Sequence, residues 1–366
     1  MAGSEQVRPH ALKNLYHNTD PEYVRQQSIN PGVLVIKKQA RKQATRHHPG
    51  AHNMIITLGE ALVDMIEQPD GRFDACLGGS VCNFTQAIAL QGLPTTYLNP
   101  LSVDKFGDRF AVLLREKGVR LASQRRSRCP TSLAIVSLDG HGSPTYAFHR
   151  ESVADRDVST DELIASLPDD GVLLHTGGLA LVPADLDKVS AVIAAATRRG
   201  VLISIDANLR PMAVPQRAAY SAGVLRVLGM AHIVKVSDED LEILGLGAAS
   251  PQELTDALFG ESSVQLVALT RGAQGATLMT RHAEATLAAP TGLAVVDTVG
   301  AGDCFQAGLL AYLKHGDKLA SPALLEKLDR DFLAAALRHA IASASINITR
   351  AGCSPASWDE VVRVTG

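Results

Sequence analysis

From about residue 170 the chain alternates in a way that few folds can satisfy. Short apolar runs, GVLLHTGG, GVLISIDANLR, AHIVKVS and VQLVALTRG, end in glycine or polar residues. Amphipathic stretches such as PADLDKVSAVIAAATRRG and SDEDLEILG separate them. Strands buried on both faces are apolar throughout, and parallel strands need helical crossovers between them. The alternation therefore predicts βαβ units and a three-layer α/β/α fold around a mostly parallel sheet. Binding groups in such sheets gather beyond the carboxyl ends of the strands. Asp206 with Asn208, Lys235 with Ser237, and Thr270 to Gly272 all stand at that position.

Two segments break the pattern. LVDMIEQPDGRFDACLG (62–78) and TSLAIVSLDGHGSPTYAFH (131–149) read as strand–turn–strand, with turns at Asp70-Gly71 and around Gly140 to Pro144. Antiparallel strands inserted into an α/β protein suggest a small β lid that shields a site from water. Organised sequence begins with MIITLGEALVDMIE at Met54, and the ordered domain is expected to run from 54 to 366. Between Tyr23 and Gly59 there is no acidic residue, while Lys37, Lys38, Arg41, Lys42 and Arg46 cluster. Residues 1–53 read as a disordered basic extension, dispensable for folding; Glu5, Asp20 and Glu22 argue against a transit peptide.

The net charge of −3 gives no global basic surface and implies no nucleic-acid partner. The longest apolar stretches are broken by charges such as Arg338, so no membrane span is expected. Five cysteines, Cys76, Cys82, Cys129, Cys304 and Cys353, form no CxxC pair, which fits a reducing compartment and a cytoplasmic location. No Gly-Lys dipeptide exists, which removes the P-loop, and GLGAAS at 245–250 lacks the third glycine of a dinucleotide fingerprint.

DTVGAGDCF (297–305) remains. Gly300, Ala301 and Gly302 precede Asp303, and Phe305, Leu309, Leu310 and Leu313 then recur at helical spacing. The glycines thus lie at a helix N-terminus, where unpaired N–H groups and the helix dipole favour an anion. Asp303 is either an ordinary cap or a base held beside a bound phosphate. Far upstream, Gly78-Gly79 permit close backbone approach, and Asn83 follows as another helix begins.

The glycine pair with Asn83, followed more than two hundred residues later by DTVGAGD, resembles the two signature regions of the ribokinase-like, PfkB-type sugar kinases. The resemblance covers roughly residues 54–358, and GEALVDMI, YAFHRESVADRDV and DANLR are most similar to the fructokinase branch. It implies a base role for Asp303, with Gly300, Ala301 and Gly302 offering N–H groups to the transferring phosphoryl group. It implies that Asp64, Gly78, Gly79, Asn83, Arg150 and Asn208 meet the sugar. Lys235, Ser237, Thr270, Gly272, Gly275 and Asn347 would meet ATP, with Asn347 near the adenine. Asp297 and Thr298 would bind a monovalent cation, potassium, and magnesium would arrive with ATP. A homodimer joined through the lid is implied as well.

Two departures stand out. The family's Asn-x-x-Glu motif, which organises magnesium, is here Ser237-Asp238-Glu239-Asp240, so Asp240 would act indirectly with a shorter reach. The tryptophan usual after DANLR is absent. The expectation is an ATP-dependent kinase of a small neutral sugar, D-fructose. The alternatives are a 2-keto-3-deoxygluconate, ribose or nucleoside kinase, or a sugar-binding relative without catalysis. A keto-acid would need a cation, for which Arg150 is the candidate.

Overall fold

In the computed structural model, which describes residues 53–138, 144–214, 216–247, 251–260 and 262–366, the apolar runs become the middle of a nine-stranded sheet. It contains β1 (Met54–Leu58), β4 (Thr95–Tyr97), β5 (Arg120–Leu121), β8 (Gly171–Gly177) and β9 (Leu202–Asp206). β10 (Ile233–Ser237), β11 (Leu266–Thr270), β12 (Ala276–Met279) and β13 (Glu284–Leu287) complete it. The order is β13-β12-β11-β10-β9-β8-β1-β4-β5. Neighbours from β5 to β11 are parallel, with Ile56 beside Leu174 and Val234 beside Val267. β12 and β13 add an antiparallel edge. The expected basic extension, 1–53, lies outside the described residues except for Asn53, as does the expected turn around Gly140 up to Pro144.

Alternate residues of each strand serve opposite layers. Ile56, Leu174, Ile203 and Val234 pack with α3 (Thr160–Ala165), α4 (Leu186–Arg198), α5 (Arg217–Leu228), α6 (Asp238–Ile243) and α7 (Pro251–Phe259). Ile55, Leu173, Leu202 and Ile233 pack with α1 (Ser80–Leu90), α8 (Ala301–His315), α9 (Pro322–Glu326) and α10 (Arg330–Ile348). α11 (Trp358–Thr365) closes on that second layer through Trp358 and Val361. Burial of both faces explains why the strands carry no polar alternation. Of the polar residues they do carry, Asp206, Lys235 and Thr270 fall toward their carboxyl ends, while His175 and Ser204 pair with each other inside the sheet.

The two exceptional segments form a separate four-stranded sheet in the order β3-β2-β6-β7. These strands are β2 (Leu62–Glu67), β3 (Phe73–Gly78), β6 (Ser132–Leu138) and β7 (Pro144–His149). β2 and β6 run parallel in its centre, and the β2–β3 turn falls at Asp70-Gly71, with Gly71 at φ 79. The inner face of this lid packs on α2 (Lys105–Glu116) through Val63, Phe110 and Leu114. Its roots enter the main sheet beside β1 and α1.

Candidate active site

Gly300, at φ 74, is the last residue before α8 and provides no side-chain cap. A Cβ there would stand 2.5 Å from the Cys353 sulfur, so glycine is required both for the turn and for the space. Asp303 lies in the first turn and is 6% exposed. Its carboxylate does not cap its own helix. Ser80 Oγ donates to Oδ1 at 2.7 Å, and Asn83 Nδ2 donates to Oδ2 at 3.1 Å, both from the first turn of α1. The helix-cap account of Asp303 therefore fails, because the carboxylate is held between two helices. Burial raises its pKa, while the bonds from Ser80 and Asn83 and the charges of Lys235 and Arg210 oppose the rise. A base kept partly hungry for a proton, yet held in one orientation, is what proton abstraction needs.

The first turn of α1 supplies the other wall. Gly79, at φ 96, starts the helix, and a Cβ there would meet the Glu60 carbonyl at 2.8 Å. A Cβ on Gly78 would collide with the Asp64 carboxylate, so Gly78 leaves room for Asp64 on the neighbouring lid strand. Burial pushes the Asp64 carboxyl up to about 6, against the pull of Arg210. Asn208, at φ 39 just beyond β9, donates from Nδ2 to Ser80 Oγ at 2.7 Å. Asn208, Ser80 and Asp303 thus form one hydrogen-bonded line. Asn83 Oδ1 is buried in the same place with no partner among the described residues, an acceptor left open for a hydroxyl donor.

Cationic charge comes from β10. Lys235 Nζ stands 2.9 Å from both oxygens of Asp206, and a Cβ on Gly302 would lie 3.2 Å from that nitrogen. Burial works against the ammonium, but Asp206 and Asp240 outweigh it and keep its pKa above the ordinary value. Its charge therefore persists against the N-terminus of α8. Ala301 N–H is closed by the Thr298 carbonyl at 3.2 Å, so the open donors are those that follow it in the turn.

Beyond Gly302 opens a cavity of about 440 Å³. Thr270, Gly272 and Gly275 line it, together with the apolar side chains of Leu293, Val295, Ile341 and Ile348. Its size and lining suit a flat heterocycle with a charged tail directed at α8. Gly272, at φ 49, has nothing within 4 Å of a would-be Cβ, whereas Gly275, at φ 94, would collide with the Leu287 carbonyl. The first glycine keeps the cavity open and the second lets β12 fold back.

Five expected residues, Arg150, Ser237, Asp240, Asn347 and Asp297, are engaged in bonds within the protein. Arg150 is 8% exposed; Nη2 pairs with Asp155 Oδ2 at 2.5 Å and Nη1 donates to the Leu179 carbonyl at 2.9 Å. It sits at a lid root with its charge neutralised, because a guanidinium buried this deeply requires a partner. Asp240 accepts from Ser237 N at 2.8 Å, Ser237 Oγ at 2.9 Å and Leu209 N at 2.7 Å, so Ser237 and Asp240 form a capping box on α6. Both carboxylate oxygens are used, which ties Asp240 to Ser237 and Leu209. Asn347 is fully buried and bridges two loops, donating to the Val299 carbonyl at 2.8 Å and accepting from Ser354 N at 2.8 Å. It stands behind the cavity wall that Ser345 and Ile348 form. Asp297 accepts from Val299 N at 3.0 Å and Gly352 N at 2.9 Å and so fixes the loop before Gly300, while Thr298 faces the cavity. Among the described residues no cluster of three or more His, Cys, Asp or Glu could hold a metal.

Sequence reasoning missed Ser80 and Glu60. Ser80 and Asn83 are three apart and share one helix face, a signal hidden because a serine after two glycines reads as part of the turn. Glu60 is 1% exposed, and its Oε1 accepts from Ser80 N at 3.0 Å. Nothing in the local sequence marks it as buried.

A family model described as pfkB family carbohydrate kinase matches residues 40–360. The fructokinase of Rhizobium leguminosarum bv. trifolii is 32% identical over 284 residues, covering 76% of this chain and 85% of that one. The crystal structure of the fructokinase of Xylella fastidiosa with bound ATP superposes with a TM-score of 0.76 at 27% identity, covering 86% of this chain and 98% of its own. The fructokinase of Vibrio cholerae O395, solved with fructose, ADP and calcium, gives 0.68 at 26% identity, covering 82% and 94%.

Proposed function

The chain belongs to the pfkB family of carbohydrate kinases, and from that premise we propose that it is a fructokinase, transferring the γ-phosphoryl group of ATP to a hydroxyl of D-fructose. The observation that carries this reading is the placement of Asp303: buried in the first turn of α8, held by Ser80 and Asn83, and one residue from the mouth of the 440 Å³ cavity. The adenine lies along the apolar wall, with Thr270, Gly272 and Gly275 beside the phosphates. The γ-phosphoryl group meets the first turn of α8, where open N–H groups and Lys235 stabilise the charge spread over its oxygens. Asp303 accepts the proton of the attacking hydroxyl. Asp64, Gly78, Gly79, Asn83 and Asn208 hold the sugar, and the lid strands exclude water.

Magnesium bound to the ATP phosphates neutralises part of their charge. Asp240 fits an indirect role only, through Ser237 and Leu209. Potassium fits beside Asp297 and Thr298, on the loop that leads into Gly300. A homodimer through the lid agrees with its exposed Phe73 and Tyr146. No helix among the described residues is long and apolar enough to cross a membrane. The free cysteines support a cytoplasmic location.

Neutralisation of Arg150 by Asp155 favours an uncharged sugar over a keto-acid. A panel of sugars in a coupled ADP-release assay tests this. Fructose should exceed ribose, glucose and 2-keto-3-deoxygluconate by at least roughly tenfold in kcat/KM, since sites built on hydrogen bonds reject partners that leave them unpaired. A preference for the keto-acid would overturn the fructose assignment.

A further inference from the structure

Glu60 joins β1 to the first lid strand, and its carboxylate is divided between two tasks. Oε1 accepts from Ser80 N at 3.0 Å, and the Ser80 hydroxyl donates to Asp303 at 2.7 Å. Oε2 is buried with no hydrogen-bond partner among the described residues. Arg150 Nε, at the end of the last lid strand, is also buried with no hydrogen-bond partner among the described residues. Both residues line the same cavity of about 20 Å³, together with Asn99, Asp155 and Arg156. That volume holds one water, and an unpaired acceptor and an unpaired donor facing one small polar space are the partners it requires.

The lid's roots converge here. Asn99 Oδ1 accepts from Gly59 N at 2.8 Å, next to the start of β2, and Asn99 Nδ2 donates to the Asp155 carbonyl at 2.8 Å. Asp155 holds the hydroxyl of Ser132, the first residue of β6, and pairs with Arg150 after β7. Three of the four lid strands are thereby tied to one buried group of charges. From that group, a single side chain reaches the helix turn that orients the base.

We propose that Glu60 is a positioning residue: through one buried water it links Arg150 and the lid roots to Ser80, and so sets the orientation of Asp303. The proposal rests on the assignment of Asp303 as the base. An ionised carboxylate holds the Ser80 N–H more strongly than a neutral one and supplies the acceptor that Arg150 Nε lacks. Burial pushes the Glu60 carboxyl up to about 7, against the attraction of Arg150. The other charged groups around it are Asp155, which opposes ionisation, and Arg210, which favours it, with Arg156, Asp185 and Lys188 on the cavity wall. Loss of the Glu60 charge should therefore loosen the base as pH falls, separately from protonation of the base itself.

The test measures kcat, both KM values and melting temperature for Glu60→Gln and Arg150→Lys, from about pH 6 to about pH 8.5, with Asp303→Asn alongside. Glu60→Gln should lower kcat roughly tenfold at the alkaline end, the difference between a charged and a neutral acceptor, with KM for ATP within about twofold. Its kcat should meet that of the wild type at the acid end, so the variant lacks the fall near neutrality. Arg150→Lys keeps the cation but removes Nε, and its kcat should also fall at least about threefold; it carries the test alone if Glu60→Gln yields no folded protein. Wild-type kcat per folded molecule in the folded variants, with only the melting temperature changed, overturns the positioning role. Turnover surviving in Asp303→Asn would instead overturn the base assignment on which it rests.

Discussion

Each oxygen of Asp303 accepts one bond, Ser80 Oγ on one and Asn83 Nδ2 on the other, and the two donors differ in what they allow. The Ser80 hydroxyl favours the ionised carboxylate and so lowers the pKa that burial has raised. Ser80→Ala removes that bond and leaves a buried acceptor short, a change worth about 1–3 kcal/mol. The base should then hold its proton to higher pH, so the acid limb of kcat/KM for fructose should move upward. A pH profile with an unmoved limb would show that Ser80 does not act on the base. The sequence displayed Asp303, Asn83 and the glycines because each sits in a short motif whose spacing has a physical meaning. Ser80, Glu60 and the Arg150–Asp155 pair were hidden, since their roles depend on partners from separate elements. Arg150 was expected to face the sugar because it follows a lid strand, but burial imposed the ion pair with Asp155.

Helix α8 converts a local sequence pattern into a site. Gly300 takes the left-handed turn, the apolar stripe from Phe305 to Leu313 seats the helix on the sheet, and Gln306 Nε2 donates to Ser204 Oγ on β9 at 2.9 Å. The first turn is thus fixed against α1 and β10, with Gly302 facing Lys235. A side chain on Gly302 would crowd the ammonium that lies 3.2 Å from its Cβ position, and it would fill the path to the N–H groups. Gly302→Val should raise KM for ATP and lower kcat, each by at least roughly tenfold, while Asp303 stays in place. Near-normal ATP use by that variant would remove the first turn of α8 from the phosphoryl path. The capping box of Ser237 and Asp240 does comparable work on α6, tying Leu209 to β10.

For the whole molecule, the parallel sheet follows from strands apolar on both faces, and this was the most legible property of the chain. The lid was legible too, as two strand–turn–strand segments with no room for a crossover. Pairing order was not: β2 lies beside β6, some seventy residues on, and no local pattern encodes that choice. The large cavity beyond Gly302 likewise depends on β11, α8 and α10 meeting, which periodicity cannot place. Two packed layers flank the sheet, while the lid joins it at Glu60, Ser132 and Arg150, where buried charges meet beside an apolar cluster of Leu62, Ala134, Leu179 and Val182.

The central claim is that Asp303 is the base, and one measurement tests it most directly: kcat of Asp303→Asn with fructose and ATP. The amide keeps the shape and can still accept from Ser80, so melting temperature should hardly move and substrate binding should stay within a few-fold. Proton acceptance is lost, and general-base catalysis contributes ~10²–10⁴-fold, so kcat should fall by about that factor. Wild-type turnover in the variant would contradict the account.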